Sequence, residues 1–218
     1  MANGGSFLAS IAARTRRAMS KLVICGGQAA RAAALAGGWL LVVCGNATAD
    51  ATVGKQLATA RCITCHSSNE TFHAVVPLLE GQPKAAFIAQ WRAFRERQRT
   101  APVMVSLAME LGEQDVESLA EHYATLLPPA TSPSSGSESG RTLAARLGCS
   151  DCHGPEMRGS DSGAARLAGQ KARYIVWSLQ LMRGGLRSHG AAPKPDPLLA
   201  QLSNDDIESL AAHFASLR

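Results

Sequence analysis

Two cysteines three apart, with a histidine directly after the second, occur twice in this chain: Cys62-Ile-Thr-Cys65-His66 and Cys149-Ser-Asp-Cys152-His153. This spacing is the attachment signature for a c-type haem. Each thiol adds across one vinyl group of the porphyrin, so the two sulfurs must reach opposite edges of one macrocycle. The residue after the second cysteine then lies beneath the iron, where an imidazole nitrogen binds as proximal ligand. A lone CxxC pair also serves zinc or thiol redox chemistry. Two copies, each followed by the same downstream pattern, point instead to two covalently bound haems. The remaining cysteines, Cys25 and Cys44, fall in the N-terminal stretch, which leaves none for a disulfide or a catalytic thiol.

The elements that position these motifs form an internal repeat. Gly54-Lys-Gln-Leu57 leads into the first motif and Gly140-Arg-Thr-Leu143 into the second. Leu79-Glu-Gly-Gln82 answers Leu167-Ala-Gly-Gln170, and Leu111–Leu126 answers Leu202–Leu217. Helices are expected over Gly54–Arg61 and Gly140–Leu147, and again over Lys84–Arg97 and Lys171–Arg183, where Phe87, Trp91 and Phe94 recur at helical spacing. Closing helices begin near Glu113 and Asn204 with acidic first turns, which suit the positive end of a helix. No strand alternation is present, so the class is all-α. The Pro/Ser-rich run 128–139 reads as a linker between a first domain, 50–127, and a second, 140–218. Each unit alone is a small core, to which a buried macrocycle adds apolar contact.

Residues 1–49 read as an export signal: five basic and no acidic residues, an apolar run over Ala32–Cys44, and a small-residue site at Ala47-Thr-Ala49. Met19-Ser-Lys21 makes a more ordinary start than Met1. The apolar run is short for a bilayer span; an uncleaved anchor is the lesser alternative, and a lipid-attached Cys44 fits poorly. This stretch also accounts for the formal charge of +5. Without it, basic and acidic residues balance, so the charge gives no reason to expect nucleic acid as a partner. Membrane contact is expected only if the segment is retained.

The paired motifs, the Leu-x-Gly-Gln turns and the closing helices resemble class I cytochromes c, specifically the two-haem cytochrome c4 type, over residues 54–217. They are also similar to dihaem subunits of flavocytochrome c sulfide dehydrogenase. The resemblance implies two tandem class I domains, each wrapped around a haem. It implies a bacterial periplasmic carrier, not an enzyme, passing single electrons between protein partners such as a terminal oxidase, a cytochrome bc complex or a dehydrogenase subunit. It also implies that the Pro77 carbonyl receives the proximal histidine's N–H.

The resemblance further implies a distal methionine before each closing helix. Met104 holds that place in the first half, with Met109 as a nearby competitor. The second half departs: the equivalent position is Pro195, no methionine follows Met182, and Ala165 replaces the family proline. His189 has the best ligand chemistry there; Lys194 and an open iron site are the alternatives, Met182 reads as core, and Met157 follows the motif too closely to reach the opposite face. An open second iron would leave room for a haem enzyme or a protein that binds gas or sulfur ligands. His122 and His213 read as structural, His73 as exposed, and Arg92, Arg95, Arg97 and Arg99 as a solvated helix face. The first half carries seven basic against nine acidic residues and the second ten against seven, a dipole that orients docking.

Overall fold

The computed structural model describes residues 49–67, 74–129 and 136–218. The expected export signal, except for Ala49, and His73 lie outside the described residues, as does half of the expected linker. Nine α-helices run through the described residues, which contain no strand. They are α1 (Ala51–Arg61), α2 (Lys84–Arg95), α3 (Pro102–Glu110), α4 (Glu113–Thr125), α5 (Glu138–Arg146), α6 (Cys149–His153), α7 (Ala172–Arg183), α8 (Pro197–Ala200) and α9 (Asn204–Ser216). Six of these match expected helices to within a few residues. The others, α3, α6 and α8, were not expected. Two of them are four or five residues long, and α3 is almost uniformly apolar, so none offers a periodic signal.

Side-chain caps mark where the helices begin. Asp50 accepts from the Thr52 N–H at 2.7 Å and Ser137 from the Gly140 N–H at 3.0 Å, each satisfying a donor that the helix itself leaves unpaired. Ser203 and Asp206 form a reciprocal capping box at the start of α9.

Both halves are built on the same helix crossing. α1 lies against α4, and α5 against α9. At each crossing sits a glycine that nothing larger replaces. A Cβ on Gly54 would lie 2.0 Å from the Ser118 carbonyl oxygen, and one on Gly140 would lie 1.9 Å from that of Ser209. His122 and His213 flank these two contacts, which accords with the structural part expected of them.

The second half encloses one apolar cluster, including Leu143, Ile175, Leu199, Ile207, Leu210 and Phe214. Met182 packs against it, as expected of a core residue, and Met157 belongs to it. The first half has two clusters. One is centred on Trp91, Phe94 and Val116, the other on Ala58, Leu119 and Tyr123, with Phe87 packing against both.

The Leu-x-Gly-Gln turns join the halves. Gln170 accepts from the Leu78 N–H at 2.9 Å and donates to the Leu78 carbonyl at 3.0 Å. Gln82 does the same to Arg166, at 3.0 Å for both bonds. Repeat-equivalent glutamines therefore clasp the opposite half's main chain in a reciprocal pair.

Candidate functional site

Each CxxCH motif lies just after its half's first helix, with the histidine turned inward. His66 is buried, and its Nδ1 lies 2.8 Å from the Pro77 carbonyl oxygen. His153 makes the matching contact with the Ala165 carbonyl at 2.7 Å. Replacing proline by alanine thus costs nothing at this point, because the acceptor is main chain. In both rings an Nδ1–H donated to a carbonyl leaves Nε2 as the ligating nitrogen, the usual device for orienting a metal-bound imidazole. Burial lowers the His153 pKa, which favours the neutral, metal-binding form. Cys62 and Cys149 are half-buried, with burial pushing both thiols up; Cys65 and Cys152 are exposed.

Met104 lies on α3 and packs against the cluster of Trp91, Phe94 and Val116. Met109, on the same helix, is 61% exposed. The inward face of α3 therefore carries Met104.

In the second half, His189 lies opposite His153. The two rings are nearly parallel, 13° apart, with centroids separated by 6.0 Å. Metal–imidazole nitrogen bonds run to about 2.0 Å, and each nitrogen lies about 1.1 Å from its ring centre, so two imidazoles sharing one metal ion have centroids about 6 Å apart. His189 Nδ1 is taken by the Asp196 carboxylate at 2.6 Å. Lys194 points elsewhere, its Nζ 3.4 Å from the Gln98 carbonyl of the first half.

The seam between the halves holds a polar cluster that was not expected. Arg99, grouped in the sequence reading with the solvated Arg92, Arg95 and Arg97, is instead buried. The chain turns back after α2, with the Arg99 N–H bonded to the Ala93 carbonyl and its guanidinium 4.5 Å above the Phe94 ring. Arg187 occupies the same place after α7 and is equally buried. Both guanidinium groups donate to the Tyr174 hydroxyl, at 3.0 and 3.3 Å, and to Gln90 Oε1, at 2.8 and 3.1 Å. Arg187 also donates to Ser178 at 2.7 Å. The matching position of the two arginines in the repeat was the available signal; helical periodicity alone placed Arg99 on the wrong side.

The residues fit the group that the motifs demand. Neither buried arginine has a carboxylate partner among the described residues, and the buried Trp91 indole N–H has no acceptor among them. Burial pushes the Tyr174 phenol up, yet the two guanidinium charges outweigh it and pull the pKa down to about 7. So strong a positive field inside a protein calls for anions. Haem propionates are carboxylates of the kind that an arginine fork binds.

No family model matches the chain. Among curated proteins, it is 30% identical to cytochrome c4 of Thiocapsa roseopersicina over 179 residues, covering 77% of this chain and 93% of that one. It is 26% identical to the thiosulfate dehydrogenase electron acceptor of Stutzerimonas stutzeri over 177 residues, covering 75% of this chain and 82% of that one. Its fold matches reduced cytochrome c4 from Pseudomonas stutzeri with a TM-score of 0.64 at 23% identity, over 78% of this chain and all of the other. The likeness extends through both halves, both haem motifs and nearly the full length of a characterised relative, and so the chain belongs to the cytochrome c4 family, a carrier of single electrons with two covalent haems.

Proposed function

We propose that the protein works in the periplasm, receiving electrons singly from a dehydrogenase and passing them to a terminal oxidase or cytochrome bc complex. The relative named as an electron acceptor of thiosulfate dehydrogenase supports a dehydrogenase as donor. Among the described residues no helix is long and apolar enough to cross a membrane. The periplasmic assignment rests on the signal-like N-terminus and on haem attachment after export.

In this reading residues 50–127 and 140–218 are the two carrier domains, joined by 128–139. Cys62 and Cys65 would hold one haem by thioether bonds, with His66 and Met104 binding its iron. Cys149 and Cys152 would hold the other, with His153 and His189. The haem iron supplies reversible one-electron chemistry at a potential set by its axial ligands and surroundings. The chain's own residues do the rest. Pro77 and Ala165 carbonyls fix the proximal rings. Arg99 and Arg187 would neutralise and bond propionates at the seam, the buried Trp91 indole N–H would supply a further donor in the first half, and the glutamine clasp holds the two halves together.

The pair of near-parallel imidazoles at 6.0 Å carries the ligand assignment of the second site. Mass spectrometry of the exported protein tests the reading first: a polypeptide beginning near Asp50 plus two haem masses is expected. Rapid reduction by a purified dehydrogenase, slowed by raising ionic strength, tests the partner class. A cytoplasmic product, or one with a single haem, overturns it.

A further inference from the structure

We infer that the Asp196 carboxylate holds His189 as the distal ligand of the second haem and, through its charge, gives that haem the lower potential of the two. The inference rests on the ligand reading above. It adds a residue to which the family pattern assigns no such part.

Asp196 is buried, its side chain 7% exposed, and each carboxylate oxygen has its own task. Oδ2 takes the His189 ring at 2.6 Å, and Oδ1 accepts from the Leu198 N–H at 2.8 Å, capping α8. The carboxylate is thereby anchored to the backbone and presents a fixed acceptor to Nδ1. This sets the ring's tautomer and leaves Nε2 for the metal, as in carboxylate–histidine–metal triads. Apart from His189, no cationic group lies within ion-pair distance of Asp196 among the described residues. Lys194, two residues away in sequence, is turned toward Gln98. The negative charge is therefore not neutralised locally, and burial weakens its screening by solvent.

The repeat supplies an internal control. In the first half the short helix α3 begins at the corresponding point in the chain path, again with proline as its first residue, but its cap is Ala101, which has no side-chain acceptor. The distal residue offered there, Met104, is a neutral thioether packed among apolar side chains. A histidine made more basic by an anionic partner favours ferric iron, whereas methionine favours ferrous iron. The two sites would thus be ordered for downhill transfer of one electron from the second half to the first, with no proton or bond exchanged.

The test uses the haem-loaded protein, with paramagnetic resonance of the ferric state and spectroelectrochemical titration. His189→Ala examines the ligand reading: one haem is expected to become high-spin while the other stays unchanged. If both haems stay low-spin, that reading falls and this inference with it. Asp196→Asn and Asp196→Ser examine the inference itself. Both retain an oxygen that can cap α8, but neither carries charge. Each is expected to keep the second haem low-spin with shifted g values, to raise the lower midpoint potential and to leave the upper one unchanged. Asp196→Glu should restore part of the drop. A lower potential and g values that stay at wild type in both neutral variants, while His189→Ala gives the high-spin signal, overturns the inference and leaves ligation standing.

Discussion

Met104 and Met109 are five residues apart on one helix, yet they face different surroundings. Met104 packs against Trp91, Phe94 and Val116, and Met109 is largely exposed. Met104→Ala is therefore expected to abolish the weak far-red absorption band of ferric iron bound to a thioether and to lower the potential of the first haem. Met109→Ala should change neither, and a visible spectrum with a redox titration distinguishes the two variants. The seam arginines act at the same scale. Arg99→Ala or Arg187→Ala removes one of two buried cations that converge on Tyr174. Each is expected to destabilise the haem-loaded protein, by about 3–5 kcal/mol where the deletion leaves a propionate buried without its cation, as read from denaturant unfolding.

Among the elements, the crossing of first and last helix carries each half. Because the Cβ of an alanine would fall about 2 Å from a main-chain oxygen at both Gly54 and Gly140, the helices have to separate to admit it. Gly54→Ala and Gly140→Ala should each cost about 1–3 kcal/mol. At about 2–4 °C per kcal/mol for a chain of this size, melting should fall by several degrees. The histidines beside these crossings add a dependence on pH. Burial, followed by Lys55 for His122 and by Arg141 for His213, holds both imidazoles below the ordinary value of 6.5. A group whose pKa is depressed in the folded state contributes stability that is full above the unfolded value. That contribution is lost as the pH falls from about 6.5 through the lowered folded value. Melting temperatures should therefore decline over that interval, and His122→Gln with His213→Gln should flatten the decline.

For the whole molecule, the decisive feature is the reciprocal clasp of Gln82 and Gln170. Four main-chain groups at the seam depend on two side chains, and an unsatisfied buried polar group costs about 1–3 kcal/mol. Gln82→Ala with Gln170→Ala is expected to loosen one half from the other and to slow electron exchange between the haems. Small-angle scattering reads the first effect, and the transfer rate after flash reduction reads the second. Single variants should show less than half of the combined effect, since either clasp alone still fixes the seam.

The haems, the all-α class, the repeat and six of the helices were determined by the sequence, because each depends on local chemistry: ligand spacing, capping residues and helical periodicity. The proposal of His189 as a ligand also starts from ligand chemistry and the lack of a methionine in its loop, and the folded loop adds its position opposite His153. What only the tertiary structure decided was which groups meet across long intervals of chain. Gln170 lies 92 residues from Leu78 and Arg99 lies 75 from Tyr174, and no periodicity links such pairs. Arg99 looked solvated because helical spacing describes a helix, whereas its position depends on the turn that follows. Asp196 carries no signal of its own in the sequence, since a partner for a histidine seven residues away exists only after the loop has folded back on itself.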